Sequence, residues 1–260
     1  MFNVQFLSAI RAYEIVKIEQ VLPPASKVLE IGGGTGQQAK ALSERGFRVV
    51  SVDIDGSIYK DDRVFPVMDY DGRNLPFPDA TFDVVLSSNV LEHVTDLSGL
   101  HKEMARVLRP GGIGIHIMPT HSWRLWTSVA HYIELVQRLF REVPQLFPRS
   151  LSVRAWIGGA LGALRNIIGI LRAYVTPPRH GERGNFLTEI GYFHPAWWRR
   201  NFLENGYVVS AEFPMGLFYT GHMILGPRIS LDTRKRLGSV LGCACHLFIV
   251  RPAKERGLRK

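Results

Sequence analysis

Four glycines stand within the seven residues EIGGGTG, positions 30 to 36, between a short apolar run and the start of a predicted helix. Glycine lets the backbone turn tightly and approach a ligand closely, and the helix that follows presents unpaired N–H groups. Gly32, Gly34 and Gly36 therefore predict a loop that leaves room for a nucleoside-bearing ligand above the end of a strand. The loop alone is a weak signal, because tight turns also use glycine.

An acid at the end of the next predicted strand, Asp53, strengthens this interpretation. Open α/β folds place such an acid against the hydroxyls of a bound ribose. A dinucleotide-binding loop has a third glycine further along to seat a diphosphate, whereas here Gln37 and Gln38 follow a GxGxG spacing. The pattern favours a ligand without a diphosphate, with dinucleotide binding as the competing interpretation. Structural interpretations also stay open, since Glu30 could cap the loop and Asp53 could pair with a lysine.

Strand and helix patterns alternate over the first 120 residues and again near the C-terminus. Apolar strands that alternate with helices predict a parallel sheet covered by helices on both faces. Between about 121 and 176 the pattern is helical without strands. The predicted strands are 27–32, 48–54, 63–68, 82–90, 113–119, 207–214 and 243–252, and the other predicted helices are 4–21, 36–46, 97–108, 195–206 and 231–242.

Four more motifs follow the glycine-rich loop: Asp71-Gly72, Leu75-Pro76-Phe77, Phe82-Asp83 and Leu108-Arg109-Pro110-Gly111-Gly112. With these motifs, residues 25 to 120 resemble the class I S-adenosylmethionine-dependent methyltransferases, particularly the methyltransferase type 11 subgroup, and the match resumes over residues 194 to 252. The resemblance implies an α/β fold, with a Rossmann-like, seven-stranded, mostly parallel sheet in the order 3-2-1-4-5-7-6 and a helical lid insertion after strand 5. It also implies S-adenosylmethionine as the cofactor.

The same resemblance implies which residues hold each part of the cofactor. They are Glu30, Gly32 and Gly34 for the amino acid part, Asp53 for the ribose, Asp71 and the Gly72 backbone for the adenine, and Asn89 beneath the sulfonium, with Gly36 as a further cofactor-binding residue of the loop. A structural interpretation competes at the end of the fourth strand, where Asn89 and His93 could instead satisfy backbone groups.

Methyl transfer from a sulfonium is an in-line displacement with a good leaving group. Alignment of the acceptor supplies much of the rate, and a base is needed only when the acceptor is a hydroxyl or a protonated amine. The acceptor side is therefore expected to carry few diagnostic residues. No set of three acidic ligands follows the fourth strand, so we predict no metal site.

The most polar stretch after the fifth strand is PPRHGERGN, residues 177 to 185. A loop of this kind is seldom core, and loops beside a site often carry function. We predict His180 as the general base and Glu182 as its orienting partner. A solvated loop held by its glycines is the alternative. The predicted substrate-binding residues are Arg179 and Arg183, as anion binders, and His121 and His194, at the two ends of the insertion.

Positive charge is concentrated after residue 120. The net charge is +9, and residues 121 to 200 hold 11 arginines, no lysine and 4 acids. Within residues 154–175, Arg154, Arg165 and Arg172 fall on one side of a predicted amphipathic helix, and three arginines make a membrane span costly. We predict contact with an anionic membrane surface. A lid helix packed on the domain and a docking site for another helix are the alternatives.

We therefore predict three regions in the chain. Residues 1–120 and 195–252 form the cofactor-binding domain, residues 121–194 form a helical lid on the acceptor site, and residues 253–260 form a basic tail. The predicted acceptor is an oxygen of a sugar, glycolipid or lipid-linked glycan. The alternatives are an isoprenoid quinone or another small molecule and, from a different class, a cofactor-binding assembly partner without catalysis.

The remaining features concern location and partners. Cys243 and Cys245 are predicted to be buried thiols in a reducing compartment. The first 20 residues contain acids and lack the unbroken apolar core of a signal peptide. These features predict a cytoplasmic protein, with a peripheral position on the inner face of the membrane as a further option. The basic residues alternate with apolar ones and form no known binding module, so nucleic acid is not expected as a partner.

Overall fold

Seven strands form one sheet in the computed structural model, which describes residues 4–147, 153–222 and 226–253. They are β1 (Lys27–Ile31), β2 (Arg48–Ile54), β3 (Val67–Tyr70), β4 (Phe82–Ser88), β5 (Leu108–Pro119), β6 (Tyr207–Pro214) and β7 (Cys245–Pro252). Their order is β3-β2-β1-β4-β5-β7-β6. The first five are parallel, and β7 is antiparallel to both β5 and β6. The predicted fold class is confirmed.

Helices cover both faces of this sheet and fill the segment between β5 and β6. In the described part of the chain they are α1 (Val4–Glu19), α2 (Gln37–Ser43), α3 (Leu97–Val107), α4 (His121–Glu142), α5 (Val153–Tyr174), α6 (Glu189–Tyr192), α7 (Pro195–Glu204) and α8 (Leu231–Leu241). Of the predicted basic tail, 253–260, all residues after 253 lie outside the described ranges.

The central strands are buried on both faces, because successive residues of a strand point to opposite sides of the sheet. Leu29 and Val85 belong to a core cluster with side chains of α3 and α7. Their neighbours Val28 and Val84 belong to a second cluster with side chains of α1, α2 and α4. Three layers result, and the carboxyl ends of the parallel strands are the edge at which such a sheet accepts a ligand.

The largest differences from the predicted strand boundaries are the starts of β3 and β5. β3 begins at Val67 instead of residue 63, because Pro66 has no N–H to donate to the sheet. β5 begins at Leu108 instead of residue 113. Gly111, at a φ of 83°, lies in an irregularity of this strand opposite residues 82–84, so the predicted stop signal is a bulge within the strand.

The insertion after β5 begins with α4, which Thr120 caps by accepting a hydrogen bond from the Trp123 N–H at 3.1 Å. α5 packs against α4, and Ala163 of α5 is buried. No helix over residues 4–147, 153–222 and 226–253 has the length and apolar content to cross a bilayer. Six large apolar side chains of α5 are 41 to 62% exposed: Trp156, Ile157, Leu161, Leu164, Ile168 and Leu171.

The two cysteines are free thiols. Cys245 is buried in β7, as predicted, whereas Cys243 lies just before the strand and is only half-buried. The prediction that both are buried is therefore wrong for Cys243, because the strand pattern begins two residues later than expected.

Candidate functional site

A cleft in two parts follows the carboxyl ends of β1, β2 and β4. The smaller part has a volume of about 450 Å³ and lies under α1, and the larger part has a volume of about 690 Å³ and extends to the end of β3. Gly32, Gly34, Tyr59 and Asn89 line both parts. The two volumes therefore meet across the glycine-rich loop, at the position where the sequence predicts the cofactor.

The glycine-rich loop approaches its neighbours too closely for side chains. A Cβ on Gly32, whose φ is 76°, would lie 2.3 Å from Cγ2 of Val90, and a Cβ on Gly33 would lie 2.0 Å from Oγ of Ser51. Both N–H groups donate to the carbonyl of Val52, at 2.8 and 3.0 Å. Gly36 packs against Phe65 and so shapes the loop, while Gly32 and Gly34 border the cleft.

Glu30 lies at the floor of the smaller part of the cleft. Its side chain is buried, with the whole residue 2% exposed, and one carboxylate oxygen accepts a hydrogen bond from the Ser51 hydroxyl at 2.5 Å. Burial raises the pKa of Glu30 to about 7. Desolvation therefore disfavours the ionised form of Glu30, and an ammonium group entering the cleft would stabilise that form.

Arg11 of α1 lines the same part of the cleft and was not predicted as a site residue. Its guanidinium donates to Glu14 at 2.7 Å. Glu14 accepts from the Tyr219 hydroxyl at 2.9 Å, and Tyr219 lies 3.1 Å from Sγ of Cys245. The Cys245 thiol donates to Oδ1 of Asn89 at 3.5 Å. A chain of contacts thus joins Arg11 to Asn89. No sequence motif marks it, since its members come from four separate segments of the chain.

Asp53 lies at the end of β2, 9% exposed, in the larger part of the cleft. Its carboxylate accepts hydrogen bonds from the Gly34 N–H at 3.0 Å, the Ser57 hydroxyl at 2.8 Å and the N–H of Ile54 at 2.8 Å. A carboxylate has about four acceptor positions. Asp53 therefore supports the glycine-rich loop and keeps capacity for one further donor.

Asp71 and Gly72 line the far end of the larger part, beyond β3. The Asp71 carboxylate is exposed and accepts from the N–H groups of Arg73 and Asn74, at 2.8 and 2.7 Å. The hydrogen bonds from Asn74 and then from Arg73 lower the pKa of Asp71. Gly72 adopts a φ of 75°. This turn keeps Asp71 ionised at the edge of the cleft.

Asn89 follows β4 and has a φ of 55°, a left-handed conformation that asparagine tolerates better than most residues. Its N–H donates to the carbonyl of Ile117 at 2.8 Å. Because Asn89 borders both parts of the cleft, its side chain stands at their junction.

The polar loop 177–185 is held by a buried ion pair. Glu189 accepts hydrogen bonds from the N–H groups of His180 and Gly181, both at 2.7 Å. The other oxygen of Glu189 lies 3.1 Å from Nε of Arg124, and Arg124 also donates to the carbonyl of Pro178 at 2.9 Å. Both ionic side chains are 2% exposed or less. The loop is therefore fixed from α4 and α6, in contrast to a freely solvated loop.

The same loop docks on the segment after β4. The Glu182 N–H donates to the carbonyl of Glu92 at 2.9 Å, and the Arg183 guanidinium donates to the carbonyl of Val94. Gly181 allows this approach, since a Cβ there would lie 2.8 Å from the Glu92 carbonyl oxygen. Docking brings the imidazole of His180 beside the edge of the larger part of the cleft, which His93 lines.

His180, the predicted base, lies in a cluster of rings and one carboxylate. Its ring centroid is 4.8 Å from that of His93 and 4.6 Å from that of Trp123. Burial, then the charge of His93, lowers the pKa of His180 to about 4. Oε1 of Glu92 lies 3.9 Å from its Nε2. Glu92 is 1% exposed, and burial raises its pKa to about 8.

Glu182, the predicted partner of His180, has a different contact. Its carboxylate accepts a hydrogen bond from Arg179 at 3.2 Å, and both side chains are exposed. The carboxylate beside the His180 ring is that of Glu92. The sequence pattern missed Glu92 because the run SSNVLEHV reads as the end of a strand, whereas Leu91–His93 form a turn of 3-10 helix.

His121 and His194 pair with each other where the insertion joins the domain, with ring centroids 4.6 Å apart. His194 caps α7 by accepting from the Ala196 N–H at 3.2 Å. Burial, then the neighbouring His194, lowers the pKa of His121. These contacts lie where the insertion 121–194 joins the sheet domain. Substrate binding by His121 and His194 stays a prediction.

Residues 29–115 match a family model described as a methyltransferase domain. An uncharacterized methyltransferase from Mycobacterium sp. strain KMS is 36% identical over 129 residues, which cover 44% of this chain and 48% of that relative. A demethylmenaquinone methyltransferase from Corynebacterium urealyticum is 40% identical over 93 residues, 35% of this chain and 40% of the relative. The chain thus spans about half or less of the length of these curated relatives.

A solved structure extends the likeness over the whole fold. The S-adenosylmethionine-dependent methyltransferase from Mesorhizobium loti superposes with a TM-score of 0.51, over 92% of this chain and 97% of that chain. The sequences are 14% identical. At this identity the likeness concerns the fold alone.

Proposed function

Because this chain belongs to the class I S-adenosylmethionine-dependent methyltransferases, we propose that it transfers a methyl group from S-adenosylmethionine to a hydroxyl of an acceptor bound beside His93 and His180. The observation that carries this proposal is the two-part cleft, whose parts meet at the glycine-rich loop and Asn89. The smaller part presents a carboxyl group, Glu30, and a guanidinium, Arg11, to the amino acid end of the cofactor. The larger part presents the carboxylates of Asp53 and Asp71 to its nucleoside.

The residues of the cleft fit S-adenosylmethionine. Glu30 and Arg11 in the smaller part suit the ammonium and carboxylate groups of its amino acid end. Asp53 and Asp71 in the larger part suit hydroxyl and amino donors of adenosine, with Ile54 as an apolar surface between them. Bound there, S-adenosylmethionine supplies a methyl group that its sulfonium makes electrophilic.

We assign to His180 the removal of the acceptor proton, with Glu92 instead of Glu182 as the carboxylate beside its ring. The backbone N–H of His180 donates to the buried carboxylate of Glu189. This contact fixes the residue, so the imidazole is positioned before an acceptor binds. Arg179 and Arg183 are proposed to bind an anionic part of the acceptor, as predicted. Arg179 is the more accessible of the two, because Arg183 stacks on Trp197 and donates to the backbone.

The acceptor class we favour is a sugar, glycolipid or lipid-linked glycan oxygen. The polar loop supports it, since arginine, histidine and carboxylate groups together suit a hydroxyl-rich molecule. An isoprenoid quinone is the second candidate. The relative named a demethylmenaquinone methyltransferase supports that alternative, and a reduced quinone would also present a hydroxyl to His180.

We further propose that the insertion 121–194 forms the acceptor side of the site and contacts an anionic membrane surface through α5. Two features support this. The apolar side chains of α5 from Trp156 to Leu171 are largely exposed, and Arg154, Arg165 and Arg172 are exposed on the same helix. A lipid-borne acceptor would then reach the cleft without leaving the membrane surface.

Calorimetry and turnover together test the function and separate it from cofactor binding without catalysis. Asp53→Ala is expected to abolish S-adenosylmethionine binding under either reading. His180→Ala is expected to keep the native affinity and to lower turnover about 100-fold or more, since a positioned base contributes at least that much. Unchanged turnover in His180→Ala would remove the base assignment. No heat with S-adenosylmethionine or S-adenosylhomocysteine, with saturation by NADH, would remove the function.

Methyl transfer from radiolabelled S-adenosylmethionine to separated glycan, lipid and quinone extracts identifies the acceptor. Label in the glycan or glycolipid fraction is the expected result. Label in the quinone fraction alone would select the second candidate.

A further inference from the structure

Three side chains with metal-binding donor atoms meet where the polar loop docks after β4. Oε1 of Glu92 lies 3.8 Å from Nε2 of His93 and 3.9 Å from Nε2 of His180. One donor atom from each residue lies within 4.8 Å of the other two. We propose that Glu92, His93 and His180 bind one divalent transition-metal ion at the wall of the larger part of the cleft.

The Glu92 carboxylate is the observation that points to a ligand. Its side chain is completely buried, and within the described ranges neither oxygen accepts a hydrogen bond from another residue. An ionised carboxylate buried without a partner from another residue is costly, so such a group stays protonated, pairs with a charge or coordinates a metal. The backbone N–H of Glu92 itself stabilises the ionised form of the carboxylate, and no other residue in the described ranges donates to it, so the carboxylate could bind an ion that the two imidazoles also reach.

The spacing of the donors is close to what an ion needs. Zinc bonds of about 2.0 to 2.2 Å place the ligand atoms of a tetrahedral site roughly 3.3 to 3.6 Å apart. The two nitrogen-to-oxygen distances, 3.8 and 3.9 Å, exceed this range by a few tenths of an ångström. The His93 and His180 side chains are 42% and 34% exposed, so both rings have room to turn toward the buried carboxylate.

The donor set selects the kind of ion. Two imidazole nitrogens and one carboxylate oxygen are the ligands of catalytic zinc sites and of ferrous sites with open positions. Calcium and magnesium prefer oxygen ligands throughout. Three protein ligands leave at least one position open for a water or an acceptor oxygen, and His93 lines the larger part of the cleft.

The use of the ion rests on the proposed function. A divalent ion at the wall of the cleft would polarise an acceptor hydroxyl and lower its pKa, so that the proton leaves to solvent. His180 would then act as a ligand and not as a free base, because the nitrogen that binds the ion cannot also take a proton. The acceptor class that follows is a phenol, enol or sugar whose hydroxyl can reach the ion.

Cobalt binding tests the site without any need for turnover. The full chain is stripped with a chelator and titrated with Co²⁺, and its visible absorption and the metal content after gel filtration are measured. We expect one ion per chain. Glu92→Gln and His93→Ala are each expected to weaken binding about 100-fold or more, since even outer-shell changes cost 10- to 100-fold. His222→Gln is the matched control, because His222 also contacts a carboxylate, Glu134, at 2.6 Å.

Three outcomes have separate meanings. Equal Co²⁺ binding by the native chain and by the double variant Glu92→Gln/His93→Ala would overturn the site, provided that both keep the native circular dichroism and S-adenosylmethionine affinity. Undiminished methyl transfer by a chain that retains no metal after chelation would overturn the use of the ion in the reaction, and would leave the proposed function intact. The third outcome is that the native chain binds one Co²⁺, that Glu92→Gln and His93→Ala each lose this binding, and that the native chain shows no methyl transfer. This outcome would support the site and reject the proposed function.

Discussion

Burial decides what each acidic side chain of the cleft can do. Glu30 and Asp71 are both carboxylates beside the same ligand space, but Glu30 is buried and its pKa is raised to about 7, whereas Asp71 is exposed and two N–H groups lower its pKa. Asp71 therefore stays ionised over the physiological range. Glu30 changes its charge within the physiological pH range, so the smaller part of the cleft responds to pH whereas the Asp71 end of the larger part does not.

Glu30 should make S-adenosylmethionine binding depend on pH. The donor's ammonium group favours the ionised carboxylate, so affinity is expected to be full above pH 7 and to fall as Glu30 takes up a proton below it. Well below pH 7 the dissociation constant should rise about tenfold per pH unit, the equivalent of 1.36 kcal/mol. Calorimetry from pH 5.5 to 8, in two buffers of different ionisation enthalpy, should also detect proton release near pH 6.5.

Glu30→Gln is the control for this dependence. It keeps the size of the side chain, and its affinity should be weak and nearly independent of pH over the same range. An unchanged pH slope in Glu30→Gln would assign the titration to another group and remove Glu30 as the ammonium partner.

Among the elements, α4 and α6 position the polar loop through a single ion pair. Arg124 from α4 meets Glu189 at the start of α6, and Glu189 in turn holds the backbone of His180 and Gly181. Removing one member of a buried pair leaves the other charge uncompensated. The loop therefore depends on Glu189 although the side chain of Glu189 is not in the cleft.

Glu189→Ala should release the loop and spare the cofactor. We expect a loss of about 3 to 5 kcal/mol in the free energy of unfolding, measured by urea denaturation. Hydrogen exchange at the amides of His180 and Gly181 should become faster, and kcat should fall while the dissociation constant of S-adenosylmethionine stays native. Glu204→Ala removes an exposed ion pair with Arg200 and should leave the free energy of unfolding nearly unchanged, since exposed pairs contribute little. Native exchange rates in Glu189→Ala would contradict this role.

For the molecule as a whole, α5 is a helix whose large apolar side chains from Trp156 to Leu171 are largely exposed in the described part of the chain. It packs against α4 and carries its apolar side chains outward, in the same segment where the chain is most positive. A helix with this arrangement gains stability by burying its apolar face in a lipid interface. The proposed membrane contact would place the insertion at the lipid surface.

Vesicle flotation tests the membrane proposal. Binding to anionic vesicles at low salt is expected, and Arg165→Gln/Arg172→Gln should weaken it about 30-fold, at about 1 kcal/mol per arginine. Leu161→Ser/Leu164→Ser should abolish binding with little loss of stability, because both side chains are exposed. Arg199→Gln/Arg200→Gln makes the same charge change on α7 and should bind like the native chain. Failure of the native chain to float at low salt would reject the proposal.

The sequence by itself determined the main strands and helices and the close backbone approach at residues 32–36, and the family resemblance of its motifs implied the sheet order and the cofactor side of the site. The first two depend on short-range pattern: apolar periodicity marks buried faces, and glycines mark a close backbone approach. Asp53, Asp71 and Asn89 stand at strand ends, and parallel strands bring their carboxyl ends to one edge. These residues could therefore be placed together before any coordinates were known.

The tertiary structure alone decided which groups meet on the acceptor side. Arg11 reaches the cleft from a helix that precedes every motif, and Glu92 meets His180 only because Arg124 and Glu189 dock the polar loop after β4. Contacts of this kind join segments that are far apart in the chain and depend on buried polar pairs, which leave no periodic trace in sequence. The partner of His180 and the proposed metal site therefore follow from the packing of the loop against the end of the sheet.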